Sequence, residues 1–500
     1  MQKILDTRRC GILLHPTSFP SPYAIGDLGL EARQILKTLA CAGVTLWQIL
    51  PIGPTGFGDS PYAARSTFAG NEFLIDPRQL QPLFGASFPA SPNLTTGRVD
   101  YNYVTSHKMP LLRQAATLFL STHQQDQNFQ DFCASNSWWL DDYALYQSLV
   151  NYFHDSRWFT WESDIKTRKK AAITHWTNKL KSEIEIYKAL QYFFFSQWND
   201  LHAYASELGI KIIGDLPIYV ASDSVDAWTN WELFKIDQDG NQTAQAGCPP
   251  DAFSADGQLW GNPVYNWPNH AKDGYAWWNK RMSMTLKMVD IVRIDHMRGF
   301  ESYWEVPAGE KTAANGKWVP GPNMDLLKAF KKFNIIGEDL GFLTPAVRMM
   351  QQQSGFPGMK VLQFAWDILP DGNLDTTNAY LPFNYTPNSV AYTGTHDNQT
   401  SRGWYNSLSP AVQDIVRRYF QCADSDVVWQ MIRSILSSVA NTAIIPMQDL
   451  LGLDDTARMN TPSTVGTSNW SWRYDSNLLQ PWMLERLSNM IHLYGRFPTP

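Results

Sequence analysis

Met288-Val-Asp-Ile-Val-Arg-Ile-Asp-His296 reads as a buried β-strand that ends in polar side chains. On a strand, residues two apart face the same way. Arg293 and Asp295 therefore project together, and Ile294 turns away. A carboxylate beside a fixed guanidinium stays ionised at neutral pH. Such a pair serves either as a structural ion pair or as an ionised group poised for chemistry. The remainder of the chain decides between them.

Seven more short apolar runs resemble this one. They are Gly11–His15, Val44–Pro51, Ile210–Asp215, Asn334–Asp339, Met359–Ala365, Ser389–Asp397 and Asn441–Gln448. Helical patterns separate most of them. Ala32, Ile35, Leu36, Leu39 and Ala40 fall at i, i+3, i+4, i+7 and i+8, one face of a helix. Thr344-Pro345 is a helix start with proline at the first helical position. Val427–Ala440 and Leu478–Leu493 read as later helices. Eight strands alternating with helices predict an α/β fold, the (β/α)8 TIM barrel. Several strands end in His15, Asp215, Asp295, Glu338, His396-Asp397 or Gln448-Asp449. In this barrel, active-site groups sit at C-terminal strand ends, so the alternation and the placement agree.

Two connections are too long for simple crossovers. One, roughly residues 52–190, follows the second strand and reads as mostly helical, with a long helix from about Glu183 to Leu208 before the third strand. The other, residues 217–288, is rich in Trp, Asp, Gly and Pro and reads as loops covering the cleft. The expectation is a single catalytic domain over residues 1–500, with the insertions after strands two and three forming subdomains around the barrel mouth.

Composition excludes several classes. Hydrophobic residues are 44% and charged residues 18% of the 500, an ordinary globular balance. The net charge of −6 gives no footprint for nucleic acid or an anionic membrane. Five scattered cysteines without a CxxC pair argue against a disulfide framework or a zinc site, and predict a reducing cytoplasm. The start, Met1–Cys10, lacks the apolar core of a signal peptide. No stretch reaches the roughly 18 uncharged apolar residues of a membrane helix. The 21 Trp, 21 Tyr and 25 Phe stand out; most are expected in a large aromatic core, and some on a surface that stacks on sugar faces.

Two further acidic strand ends complete the pattern. Glu338 and Asp339 alternate in facing, so only one need enter a cleft, and Gly337 before them lets a substrate approach the backbone. A helix-capping or loop-bracing role is the other reading of these acids. Asp397 follows His396, whose ring could donate to a sugar hydroxyl; an Asx turn is the other reading of Asp397-Asn398. Three carboxylates from strands four, five and seven at one barrel mouth suit glycosyl transfer with retention. That chemistry needs a nucleophile and an acid/base roughly 5–5.5 Å apart. Asp295 is the expected nucleophile and Glu338 the acid/base. Asp397 would orient the sugar.

At these residues the chain resembles the 4-α-glucanotransferases, the amylomaltase or disproportionating-enzyme family of the α-amylase superfamily. The likeness runs from Gly11–Pro20 through Leu50–Tyr62, Gly214–Val220, Gly247–Ser254 and Gln258–Pro263 to Ala457–Asn460, besides the three acidic motifs. It implies a retaining transfer between α-1,4-glucans, with Asp295, Glu338 and Asp397 catalytic. It places Arg293 and His396 around the reacting sugar, and Tyr62, Asp251, Trp260 and His296 along the glucan. Asp367 is added by its position after strand six alone. Asp215 reads as a buried supporting carboxylate. No metal or organic cofactor is implied, and the expected partners are α-1,4-glucans, with no nucleic acid and no membrane.

Two places depart from the family. Phe57 stands where some relatives have a Tyr of a second glucan site, which keeps stacking but loses a hydroxyl. Met459–Thr464 lacks the usual glycine after its proline, so the turn there and any contact from Asn460 need not carry over. Pro249–Phe253 and Gln258–Trp260 are expected to arch over the cleft, with Phe253 and Trp260 excluding water and stacking on the acceptor. A loop merely packed on the barrel is the other reading. Two other functions compete. A plain α-glucan hydrolase would use the same carboxylates, whereas a non-catalytic carbohydrate-binding protein would explain the rings but not the acids.

Overall fold

The computed structural model describes residues 4–250, 255–341 and 343–497. Its parallel sheet consists of Arg9–Leu13, Leu46–Gln48, Lys211–Leu216, Ile291–Ile294, Ile335–Gly337, Gly358–Val361, Ser389–Tyr392 and Thr442–Pro446, the first to eighth barrel strands. Each pairs with the next in sequence except the fifth with the sixth, and the eighth pairs with the first. Between the fifth and sixth, Gly337 N–H donates to Pro357 O at 3.0 Å, so the sheet curls into a nearly closed barrel. The strand interiors are buried, as Ile12, Ile212, Ile213, Val292, Ile336, Val390 and Ile444 show. That is the signature of parallel strands covered on both faces, and it explains continuous apolar runs in place of alternation.

The local signals work as expected. Helix Leu30–Cys41 buries Ala32, Ile35, Leu36 and Leu39. Helix Pro345–Ser354 starts where the Thr344 hydroxyl accepts the Val347 N–H. The last helix spans Pro481–Leu493, later than the expected Leu478, because Pro481 fixes its first turn and Ser476–Leu478 forms a separate 3-10 turn.

The chain between the second and third barrel strands carries three long helices, Met109–His123, Gln127–Phe153 and Lys181–Glu207. The last of them also reaches the barrel wall, where the Trp198 indole N–H donates to Met288 O at 3.0 Å. Residues 217–288, expected as loops, contain the strands Ala244–Cys248 and Gln258–Pro263. These join Ser302–Pro307 and Lys317–Pro320 in a four-stranded antiparallel sheet. The last two strands lie between the fourth and fifth barrel strands, a third elaboration absent from the sequence reading. They are short and end in proline, and only cross-strand partners from another insertion complete them.

Candidate active site

Register sets the floor of the site. Asp215 on the third barrel strand pairs with Arg293 on the fourth, and Ile294 pairs with Gly337 on the fifth. The ladder continues past the strand ends, with Asp295 N–H to Leu216 O at 3.0 Å and Glu338 N–H to Ile294 O at 2.9 Å. Asp295 and Glu338 therefore leave neighbouring strands at one level.

Arg293 and Asp295 do share a face: Arg293 Nη1 lies 3.0 Å from Asp295 Oδ1. The same nitrogen donates to both Asp215 oxygens, at 2.7 and 2.6 Å. Asp215 is fully buried, whereas the Asp295 side chain is 29% exposed, so Asp295 alone of the two reaches solvent. Burial by itself would lower the Arg293 pKa, but Asp215 and Asp295 outweigh it and hold the guanidinium well above its usual range. Its charge is thus permanent, and one terminal nitrogen meets two carboxylates at once.

Glu338 is gripped by backbone. Its Oε2 accepts the His296 N–H and its Oε1 the Leu340 N–H, both at 2.7 Å. His296 adopts a left-handed conformation, with φ of 49°, and the N–H of this turn residue meets the carboxylate. Burial pushes the Glu338 carboxyl up to about 7; Arg293 pulls it down and Asp295 adds to the rise. Asp339 faces away, accepting the Met359 N–H and the Gln351 amide at 2.7 Å each, and braces the sixth barrel strand. The glycine before Glu338 has a different purpose from the expected one. A Cβ on Gly337 would stand 2.3 Å from Met297 Sδ, so the space goes to the turn after Asp295 rather than to substrate.

Asp397 completes the acidic set. Its Oδ1 accepts the Asn460 amide at 2.7 Å, its carbonyl accepts Arg458 Nη2 at 2.6 Å, and its Oδ2 lies 3.4 Å from His396 Nε2. The His396 ring is buried and stacks on Tyr62 at 5.2 Å. Tyr62 in turn donates its hydroxyl to Asp215 at 2.8 Å. His396 thus stands behind the open cleft and lines a small cavity beneath it.

These groups line a cleft of about 1340 Å³, with Tyr62, Trp260, Asp295, Glu338, Asp367 and Asp397 in its wall. Small-molecule pockets measure about 300–1,000 Å³, so this cleft suits an extended ligand. Trp260 comes from the antiparallel sheet and meets the His296 ring edge-on at 4.9 Å. Burial lowers the His296 pKa to about 4, which leaves that ring neutral. Asp367 is exposed on the wall and accepts the Asn378 amide at 2.8 Å. Phe57 is 72% exposed at the rim. Asp251 and Phe253 lie outside the described residues. Among the described residues no three His, Cys, Asp or Glu side chains are placed to hold a metal ion.

Trp470 was not singled out from the sequence, yet its ring tilts against both Tyr62 and His396, at 5.7 and 6.0 Å. The Trp470-Ser-Trp472 doublet was its only signal. Asn460 does make a contact, although its segment departs from the family pattern. Ser463, where the family has glycine, sits at φ of 62°. The turn therefore keeps the glycine-like conformation despite the serine.

A family model described as 4-alpha-glucanotransferase matches residues 14–479. A 4-alpha-glucanotransferase of Synechocystis sp. is 46% identical, over 99% of both chains. One from Streptococcus pneumoniae is 44% identical over 98% of both. Among solved structures, the amylomaltase of Streptococcus agalactiae in complex with acarbose superposes with a TM-score of 0.91 at 36% identity, covering 98% of this chain and 99% of the other.

Proposed function

The chain belongs to the 4-alpha-glucanotransferase family, and from that premise we propose how its cleft moves a segment of α-1,4-glucan. Glu338, buried and titrating near 7, protonates the glycosidic oxygen. Asp295 attacks C1 as the C1–O bond breaks, giving a covalent glycosyl-enzyme and releasing the shortened donor. The 4-hydroxyl of glucose or of another glucan enters, Glu338 takes its proton, and it displaces Asp295 from C1. Two inversions leave the anomeric configuration retained. Asp397 holds sugar hydroxyls and helps distort the ring. Arg293 keeps Asp295 aligned, Tyr62 and His396 form the stacked wall behind it, and His296, Trp260 and Asp367 line the glucan path. Asp251 and Phe253 are assigned to the same path on their sequence motif. The chain works as a single catalytic unit over residues 1–500, with its insertions shaping the cleft.

The observation that carries this reading is the unlike setting of two neighbouring acids. Asp295 is tied to a permanent guanidinium, whereas Glu338 is buried and accepts two backbone N–H groups. Such a split separates nucleophile from acid/base. A cytoplasmic site of action is proposed as well, on the support of five cysteines that form no disulfide. No helix among the described residues is long and apolar enough to cross a membrane.

Incubation with maltotriose is the test. Transfer yields glucose and a ladder of longer glucans. A hydrolase gives only shorter products and a binding protein gives none, and either result would overturn the proposal.

A further inference from the structure

The loop carrying Asp397 runs from Thr393 to Ser401, and the segment after the eighth barrel strand grips it repeatedly. At its two ends, Asp449 accepts the Thr393 hydroxyl at 2.5 Å, and the Ser401 hydroxyl and N–H at 2.7 Å each. Beside that, Asp455 accepts the Thr400 N–H at 3.0 Å and the Gln399 amide at 2.6 Å. In the middle, Arg458 and Asn460 hold Asp397 itself. Asp449 is 1% exposed, and its three contacts are all with groups that donate, which suits an acceptor-only carboxylate. Under the loop lies a cavity of about 20 Å³ bordered by Asp449, Thr395, His396 and Asn398. A loop released at its ends would carry Asp397 with it.

We propose that Asp449 is a positioning residue for glycosyl transfer, which fixes Asp397 against the reacting sugar by tying together the two ends of its loop. The proposal rests on the reading of Asp397 as the carboxylate that orients the sugar. Misplacing a reacting group by about 1 Å can cost roughly 10²-fold in rate. Asp449 touches no substrate, and its effect travels through the loop.

The experiment compares Asp449→Ala with Asp449→Asn. An asparagine oxygen still accepts the Ser401 N–H, and its amide donates to the two hydroxyls, which turn to accept. Asp449→Asn therefore keeps most of kcat, whereas Asp449→Ala loses roughly 10²-fold in kcat with KM for maltotriose changed by less than about threefold. The same substitutions are then made in an Asp397→Asn background, and the variants of both backgrounds are assayed with α-maltosyl fluoride as the common donor. There Asp449→Ala should cost less than about threefold, because the group it positions is already gone. An equal fold-loss in both backgrounds, or full kcat in Asp449→Ala, overturns the assignment. Should Asp449→Ala fail to fold, Thr393→Val combined with Ser401→Ala removes both hydroxyl donors and is read in the same cycle. Failure of the parent protein to transfer glucan from maltotriose would instead overturn the functional reading beneath it.

Discussion

Glu338 is held by the turn that carries Asp295: its Oε2 accepts the N–H of His296, the next residue along, at 2.7 Å. The proposed acid/base and nucleophile thus share one backbone turn. Burial keeps Glu338 protonated up to about pH 7. Donor cleavage needs that proton, so kcat/KM for maltotriose should fall as pH rises through about 7. With α-maltosyl fluoride, which needs little protonation, Glu338→Gln should retain most of the glycosylation rate, read as the initial burst of fluoride release, without an alkaline limb. Equal damage to both donors would remove Glu338 from the role.

The same shift makes a stability prediction. The folded carboxyl titrates near 7, above its ordinary 4.5, so the folded state binds this proton more tightly than the unfolded chain. Its contribution is fully present below the ordinary carboxyl range and is lost as pH rises through about 7. Glutamine does not titrate. The Tm of Glu338→Gln relative to the parent should therefore improve from pH 5 to pH 8. A flat or opposite trend in a calorimetric series would show that Glu338 is not the buried acid described.

Arg293 serves Asp215 and Asp295 from one nitrogen. A lysine places a compact, strongly hydrated ammonium on a shorter, flexible stem, and does not hold that one position between both carboxylates. Arg293→Lys should fold yet lose roughly 10²-fold or more in kcat. Activity near the parent value, with unchanged circular dichroism, would reduce Arg293 to a simple counter-charge.

Much of this was legible in the sequence because parallel barrel strands are buried on both sides. Runs such as Ala443-Ile-Ile-Pro446 stand out as uninterrupted apolar stretches, and the polar residues after such runs mark the barrel mouth. Boundaries were less legible. The expected strand Met359–Ala365 stops at Val361, after which Leu362–Phe364 forms a 3-10 turn. The antiparallel sheet escaped notice because its strands come from two separate insertions, and neither pair carries a signal without the other. Asp449 was visible only as a polar strand end, since its anchoring of the Asp397 loop depends on a contact between residues far apart in sequence.

Trp260 projects from that sheet against His296. Water is about 55 M, so an acceptor sugar wins only if the site favours it. Trp260→Ala should raise the ratio of hydrolysis to transfer, read as reducing-end release against glucose release from maltotriose. A loss of stability with that ratio unchanged would mean that the ring only packs.

In the proposed reaction Asp295 bonds to the sugar. Trapping with a fluoro-sugar donor, followed by proteolysis and mass spectrometry, tests it directly. The adduct should fall on the peptide containing Asp295, and Asp295→Asn should form none while losing on the order of 10⁴-fold in activity. An adduct on the peptide of Glu338 or Asp397 would contradict the account.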